Sequence, residues 1–411
     1  MAQLPSAFTD YTRQLMGAER FERYLRAFEE PTPVSIRLNP LKAVGMEAIA
    51  GERVPWCRNG YYLKERPNFT FDPLFHTGCY YVQEAASMFL DEVLRQLPIT
   101  NCQSVIDFCA APGGKSTLLR SALPESCMLY SNEPMRQRAS ILAENVQKWG
   151  YPNHIVTNAY PRDYRKAKLR ADLILCDVPC SGEGMFRKDE ATIREWSPQN
   201  VERCWQLQRD IVSDAWQCLN DGGILIYSTC TFNTKENEEN IRWMLSEYDA
   251  EVVNIEIKPE WNITGSLLDG FTEPVYRFIP GISQGEGLFM CVLRKGGTAA
   301  KRQGSPRNAD ALKVISPARN SVPSYPQTEL TYQQAMAYLR HEALVLSPDV
   351  PRGIVTVCFR GQPLGEAKNI GTRANNLYPK EWKIKTTHIP TDYEAILRHT
   401  EPHPDGGHSE R

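Results

Sequence analysis

The feature that most constrains the fold is an alternation of short apolar runs with helical stretches, sustained from about residue 103 to residue 295. Residues 104–108 form the first apolar run, followed by a turn rich in glycine and a helix from about Lys115. Residues 128–130 read as a second strand and 135–149 as a helix; 154–157 and 173–176 give a third and a fourth strand. Residues 197–219 read as one long helix, with Ser197 as N-cap and Pro198 in its first turn. A fifth strand at 223–227, a helix at 235–248 and strands near 251–257 and 288–293 complete the series. Alternation of this kind predicts an α/β fold, a doubly wound sheet with helices on both faces.

The flanks read differently. Residues 8–28 carry an amphipathic helical pattern, and 34–40 read as a short strand ended by Pro40. Residues 296–327 are rich in Gly, Ser, Pro and basic residues, the composition of a linker, and beyond them 353–359 carries a strand signal. The expected organisation is an N-terminal module at 1–100, a catalytic domain at 101–297, a linker at 298–327, a small C-terminal domain at 328–395 and a disordered tail at 396–411. A chain of 411 residues with 42% hydrophobic content is long enough for such an arrangement.

Charge and cysteine usage narrow the function classes. The net charge is only -2, so a nucleic-acid surface must be a local patch. One such stretch runs from 295 to 385, with 14 Lys or Arg against 6 Asp or Glu. No run of 18 apolar residues occurs, which argues against a membrane partner. The first residues lack the apolar core of a signal peptide, so a cytoplasmic location is expected. The 12 cysteines include no Cys-x-x-Cys pair, which argues against a metal cluster and for a reducing compartment.

The turn after the first strand reads Cys109-Ala110-Ala111-Pro112-Gly113-Gly114-Lys115. In an open α/β sheet ligands sit past the carboxyl ends of the strands, where small residues admit a ligand to the backbone and a helix N-terminus offers free N–H groups. A phosphate-binding loop requires Gly where Cys109 stands, and Gly-x-Gly-x-x-Gly is absent, so neither a P-loop nor a dinucleotide turn fits. The second strand ends in Asn132-Glu133-Pro134, which places Glu133 where an acidic side chain binds a ribose diol.

The fourth and fifth strands each deliver a cysteine just past the carboxyl end, in Asp177-Val178-Pro179-Cys180 and Ser228-Thr229-Cys230. A single cysteine is usually a small buried hydrophobe, but two at matching strand ends beside a ligand turn point to covalent chemistry. Carbon 5 of cytosine is a poor nucleophile. A thiolate added to carbon 6 makes carbon 5 electron-rich enough to take a methyl group from a sulfonium, and a second group then assists release. Lys188 is the cation named here to favour the thiolate.

The stretches CAAPGGKS, DVPCSGEGMFRKD and YSTCTFNTKENEENI resemble the Nop/Sun-type RNA (cytosine-5) methyltransferases, and among these the bacterial 16S ribosomal RNA enzymes of the RsmF/YebU type. SIRLNPLK at 35–42 resembles the family's N-terminal module, and GQPLGEAKNIGTRANNLYPKEW resembles its PUA-like RNA-binding module. The resemblance implies a Rossmann-like domain that binds S-adenosyl-L-methionine through Cys109 to Lys115 and Glu133. It implies Cys230 as nucleophile, Cys180 in product release, and Asp177 between the methionine moiety and the target base. Asn158 stands where the family often has an acidic residue near the adenine. The implied partner is RNA, either ribosomal RNA or the small ribosomal subunit, with the protein acting as a monomer. Two alternatives stay open: a tRNA cytosine-5 methyltransferase, and an RNA-binding ribosome assembly factor without turnover.

Overall fold

The computed structural model describes residues 4–49, 51–297, 311–317, 324–386 and 388–400. Most of the expected linker (298–310 and 318–323) and of the expected tail (401–411) lies outside the described residues. The chain forms two compact units. The described residues of the first fall within Met1–Ser35, Pro55–Arg58 and Gln83–Val322; those of the second fall within Ile36–Val54, Asn59–Val82 and Pro323–Arg411.

The first unit is built on a nine-stranded sheet. Its strands in chain order are β1 (Ser104–Asp107), β2 (Met128–Asn132), β3 (His154–Thr157), β4 (Ala171–Asp177), β5 (Leu219–Thr229), β6 (Ala250–Val252), β7 (Tyr276–Phe278), β8 (Leu288–Lys295) and β9 (Val314–Ser316). Across the sheet the order is β6-β8-β5-β4-β1-β2-β3-β9, with β7 pairing to β8. Strands β1 to β5 are mutually parallel, and β8 is antiparallel to β5. The strand order reverses between β1 and β4, the switch point at which such sheets open a crevice for ligands. The central strands are buried on both faces, as their Val-Ile and Leu-Ile-Leu runs require: Ile106, Ile174, Leu175, Leu225 and Ile226 are all fully buried.

The helices follow from local signals. Ser197 Oγ accepts from the N–H of Asn200 at 3.1 Å and caps the helix Pro198–Cys218. Gly150, at φ 83°, ends the helix Arg136–Trp149. The single helix expected over 8–28 is two, Ser6–Met16 and Ala18–Arg26, because Gly17 takes φ 76° between them. Both pack aromatic side chains on the sheet's crevice loops: Phe8, Phe21 and Tyr24 share a buried cluster with Phe186, Trp196 and Phe232.

Within the stretch read as linker, β9 pairs antiparallel with β3, Val314 against Thr157 and Ser316 against Val156. Its neighbour Leu312 is buried in the main core, so this short apolar segment gains more by closing the sheet edge than by staying in solvent.

The second unit contains a four-stranded sheet of Gln327–Glu329, Gly353–Phe359, Gln362–Asn369 and Ala374–Asn376, in that order. The helix Tyr332–Leu339 is opened by a capping box between Thr331 and Gln334. Residues from the amino-terminal third fold into this same unit: Tyr80 and Tyr393 both donate to the buried Asp72 carboxylate, at 2.7 and 3.0 Å. Leu397–His399, in the expected tail, pairs with Met46–Ala48, and the buried side chains of Ile396 and Leu397 account for its order. No helix of the described residues is long and apolar enough to cross a membrane.

Candidate active site

The turn from Cys109 to Lys115 leaves β1 at the switch point and enters the helix Gly114–Ala122. Gly113 sits at φ 118°, a conformation that L side chains rarely adopt, and so permits this sharp entry. Ala110 and Ala111 pack on Leu142, Ala143 and Val146 of the helix after β2, while Pro112 is exposed. The buried side chain of Asn132 ties three strand ends together. Its Nδ2 donates to the carbonyls of Phe108 (3.2 Å) and Ala159 (2.8 Å), and its Oδ1 accepts from Thr157 Oγ1 (2.9 Å) and Ala159 N–H (3.0 Å).

Two carboxylates face this turn. Asp107, at the end of β1, is fully buried; its Oδ2 accepts from Ser116 Oγ at 2.6 Å and its Oδ1 has no hydrogen-bond partner. Burial pushes this carboxyl up to about 7. Glu133 is also buried: it accepts from the N–H of Met135 at 2.9 Å and pairs with Arg138 at 3.2 Å. Asn158 commits its side-chain amide to this turn. Nδ2 donates to the carbonyls of Glu133 (2.9 Å) and Pro134 (2.8 Å), and Oδ1 accepts from Lys313 Nζ at 3.2 Å.

The two cysteines meet at the ends of β4 and β5. Their Sγ atoms lie 3.1 Å apart, and the Cys230 N–H donates to Cys180 Sγ at 3.3 Å. Asp177 stands beside them: its Oδ2 accepts from Lys115 Nζ at 2.8 Å, and its Oδ1 accepts from Ser228 Oγ. Burial works against the Lys115 ammonium, but Asp177 beside it, with Cys230 and Asp107 nearby, holds it above its ordinary value. The hydrogen bond to Cys230 and then burial push the Cys180 thiol well up. The charge of Lys188, the cation named from sequence, acts on Glu286, while Lys115 interacts electrostatically with Cys230. The turn from Cys109 to Lys115, Asp177 and both cysteines thus converge on one end of the sheet.

Residues 95–294 match the family described as 16S rRNA methyltransferase RsmB/F. Residues 4–85 match the N-terminal domain of 16S rRNA methyltransferase RsmF, and 325–384 match the methyltransferase RsmF PUA domain. The chain belongs to the RsmB/F methyltransferase family. Its fold is a Rossmann-like methyltransferase domain with an N-terminal module and a C-terminal PUA domain. It is 29% identical to ribosomal RNA small subunit methyltransferase F of Cronobacter sakazakii, over 92% of this chain and 96% of that one. It is 33% identical to the enzyme of the same name from Shigella flexneri serotype 5b, over 71% of this chain and 63% of that one. A crystal structure of a methyltransferase homolog protein from Pyrococcus horikoshii superposes with a TM-score of 0.58 at 27% identity, over 71% of this chain and all of that one.

Within this RsmB/F site, four features besides the Lys115–Asp177 pair escaped the reading of the sequence. They are the unpaired Asp107 oxygen, the Asn132 hub, the Ser228 hydroxyl on Asp177, and a buried group of Glu183, Asn233 and Glu236 next to the cysteine loops. Asp107 and Asn132 close their strands at the crevice and Ser228 stands one residue before the end of its own, and that position is the signal by which the sequence marks them.

Proposed function

We propose that this chain methylates carbon 5 of a cytosine in small-subunit (16S) ribosomal RNA, with S-adenosylmethionine as donor and Cys230 as covalent nucleophile. The observation that carries the reading is the 3.1 Å approach of two cysteine sulfurs at adjacent strand ends, beside the Lys115–Asp177 pair. Bound S-adenosylmethionine supplies an electrophilic methyl group. The chemistry of the crevice suits it: the donor carries an ammonium and a sulfonium, and the unpaired Asp107 oxygen and the Glu133 carboxylate give the site negative partners for a cation and for ribose hydroxyls. The turn Cys109 to Lys115 would form its floor. Asn158 would shape the adenine side by holding the Glu133–Pro134 turn.

The steps assigned to the protein's own groups are as follows. Lys115 favours the charged sulfur of Cys230, which adds to carbon 6 of the base. The electron pair of the carbon 5–carbon 6 bond moves toward carbon 5, which takes the methyl group. Asp177, fixed by Lys115 and Ser228, faces the base from the end of β4. Cys180 starts as a thiol hydrogen-bonded to Cys230. Once the Cys230 sulfur is bonded to carbon it no longer holds that hydrogen; Cys180 gives its proton to water, and the resulting thiolate accepts the carbon 5 proton. The carbon–sulfur bond then breaks and the aromatic ring is restored. The catalytic work is assigned to residues 101–297, and RNA holding to 1–100 and 328–395.

Bisulfite sequencing of total RNA from cells with and without the protein tests the reading. One small-subunit ribosomal RNA cytosine should lose its protection when the protein is absent. Loss at a transfer RNA cytosine instead, or at none, would contradict it.

A further inference from the structure

Next to the two cysteines lies a group of buried polar side chains that methyl transfer itself does not use. Glu183 follows Cys180 in the loop after β4, Glu236 follows Cys230 in the loop after β5, and both are essentially unexposed. Each carboxylate bonds to the opposite loop. Glu183 Oε2 accepts from the backbone N–H groups of Phe232 (2.7 Å) and Asn233 (3.0 Å). Glu236 Oε2 accepts from the backbone N–H of Ser181 at 3.0 Å and from Gln208 Nε2 at 2.6 Å. Asn233 Nδ2 lies between the two carboxylates and donates to Glu183 Oε1 (3.1 Å) and Glu236 Oε1 (2.8 Å). The Gly184 N–H closes the same joint by donating to the Cys230 carbonyl at 2.8 Å. A Cβ at Gly184 would fall 2.6 Å from Gly287 Cα and 2.8 Å from that carbonyl.

Among the described residues neither Glu183 nor Glu236 has a salt-bridge partner. Burying a carboxylate without a cation is costly, and burial pushes Glu236 up to about 7. Convergent N–H groups offset that cost only while both loops keep their places, so the two carboxylates hold the loops to one geometry. The geometry matters because the two sulfurs must serve neighbouring carbons of one ring.

We infer that Glu183 and Glu236 are positioning residues that cross-tie the Cys180 loop to the Cys230 loop and so set the separation of the two sulfurs. The catalytic meaning of that separation rests on the function proposed above, but the separation itself is measurable without turnover.

The full chain is treated with diamide, and the Cys180–Cys230 disulfide is followed by peptide mapping. The two thiols are oxidised, and the azo group of diamide is reduced to the hydrazine and takes both protons. Glu183→Gln and Glu236→Gln keep the side chain's shape but turn an amide N–H toward N–H donors. Each should slow this disulfide by about tenfold or more, in protein whose circular dichroism is unchanged. The sign is informative, because removing the Glu236 charge alone would lower the Cys180 thiol's pKa and speed the reaction. Methylation kcat should fall with it while the Kd for S-adenosylmethionine stays put. If a glutamine variant does not fold, Gln208→Ala, which removes one donor to Glu236, should still slow the disulfide. Wild-type disulfide rates in a folded variant would overturn the inference. Slowed disulfide formation in variants of a protein whose wild type methylates no RNA would leave the cross-tie standing and sink the functional reading.

Discussion

Asp107 shows what the crevice asks of a single residue. It is fully buried, one oxygen is unpaired, and its carboxyl is pushed up from 3.8 to about 7. A carboxyl raised on folding contributes stability that is present below its unfolded pKa and lost as pH rises through the folded value. Asp107→Asn should therefore melt higher than wild type at pH 8, with a smaller gap at pH 5.5, as scanning calorimetry would record. The same variant should bind S-adenosylmethionine more weakly if the unpaired oxygen receives the donor's ammonium. Equal affinity would refute that assignment. The residue scale also shows the limit of spacing as a guide. Cys180, Cys230 and the turn at Cys109 were legible because each sits at a strand's carboxyl end. The partner of Asp177 was not, because Lys115 is far from it in sequence and only the adjacency of β1 and β4 brings them to 2.8 Å.

At the scale of elements, β1 to β5 and the helix Pro198–Cys218 were readable from periodicity, proline and serine caps. The strand β9 was not, since Val314–Ser316 is embedded in linker-like composition and gains its order from the exposed edge of β3. The two N-terminal helices were read as one because an amphipathic stripe does not report the backbone of Gly17. Their aromatic contacts bind them to the loops that carry the cysteines: Phe8 lies 4.9 Å from Phe186 and 5.6 Å from Trp196, ring to ring, and Tyr24 lies 5.4 Å from Phe232. Phe8→Ala should cost about 3–5 kcal/mol in urea unfolding, the range for a buried aromatic truncated to alanine. A cost below about 1 kcal/mol, the scale of a surface substitution, would show that these helices do not brace the loops.

At the scale of the whole molecule, a net charge of -2 makes RNA binding a matter of local surface. In the second unit, Arg340, Lys383 and Lys385 line a cavity of about 370 Å³ together with Glu342, Ile384 and Thr386. Reversing the three cations to glutamate should weaken RNA binding and flatten its salt dependence by roughly 0.7–0.9 log units per lost phosphate contact, with cofactor affinity unchanged. An unchanged slope by fluorescence anisotropy would make this face a solvated one. Cutting the chain after 297 is a poorer test, since it removes β9 from its sheet and Leu397–His399 from Met46–Ala48. That second pairing, between segments more than three hundred residues apart, is one that no local pattern in the sequence discloses. The central claim, that Cys230 bonds the base and Cys180 frees it, is tested most directly by incubating each variant with S-adenosylmethionine and substrate RNA and running denaturing gels. Cys180→Ala should trap a protein–RNA adduct that survives denaturation, and Cys230→Ala should form neither adduct nor methylated RNA. An adduct in Cys230→Ala that disappears in Cys180→Ala would contradict the account.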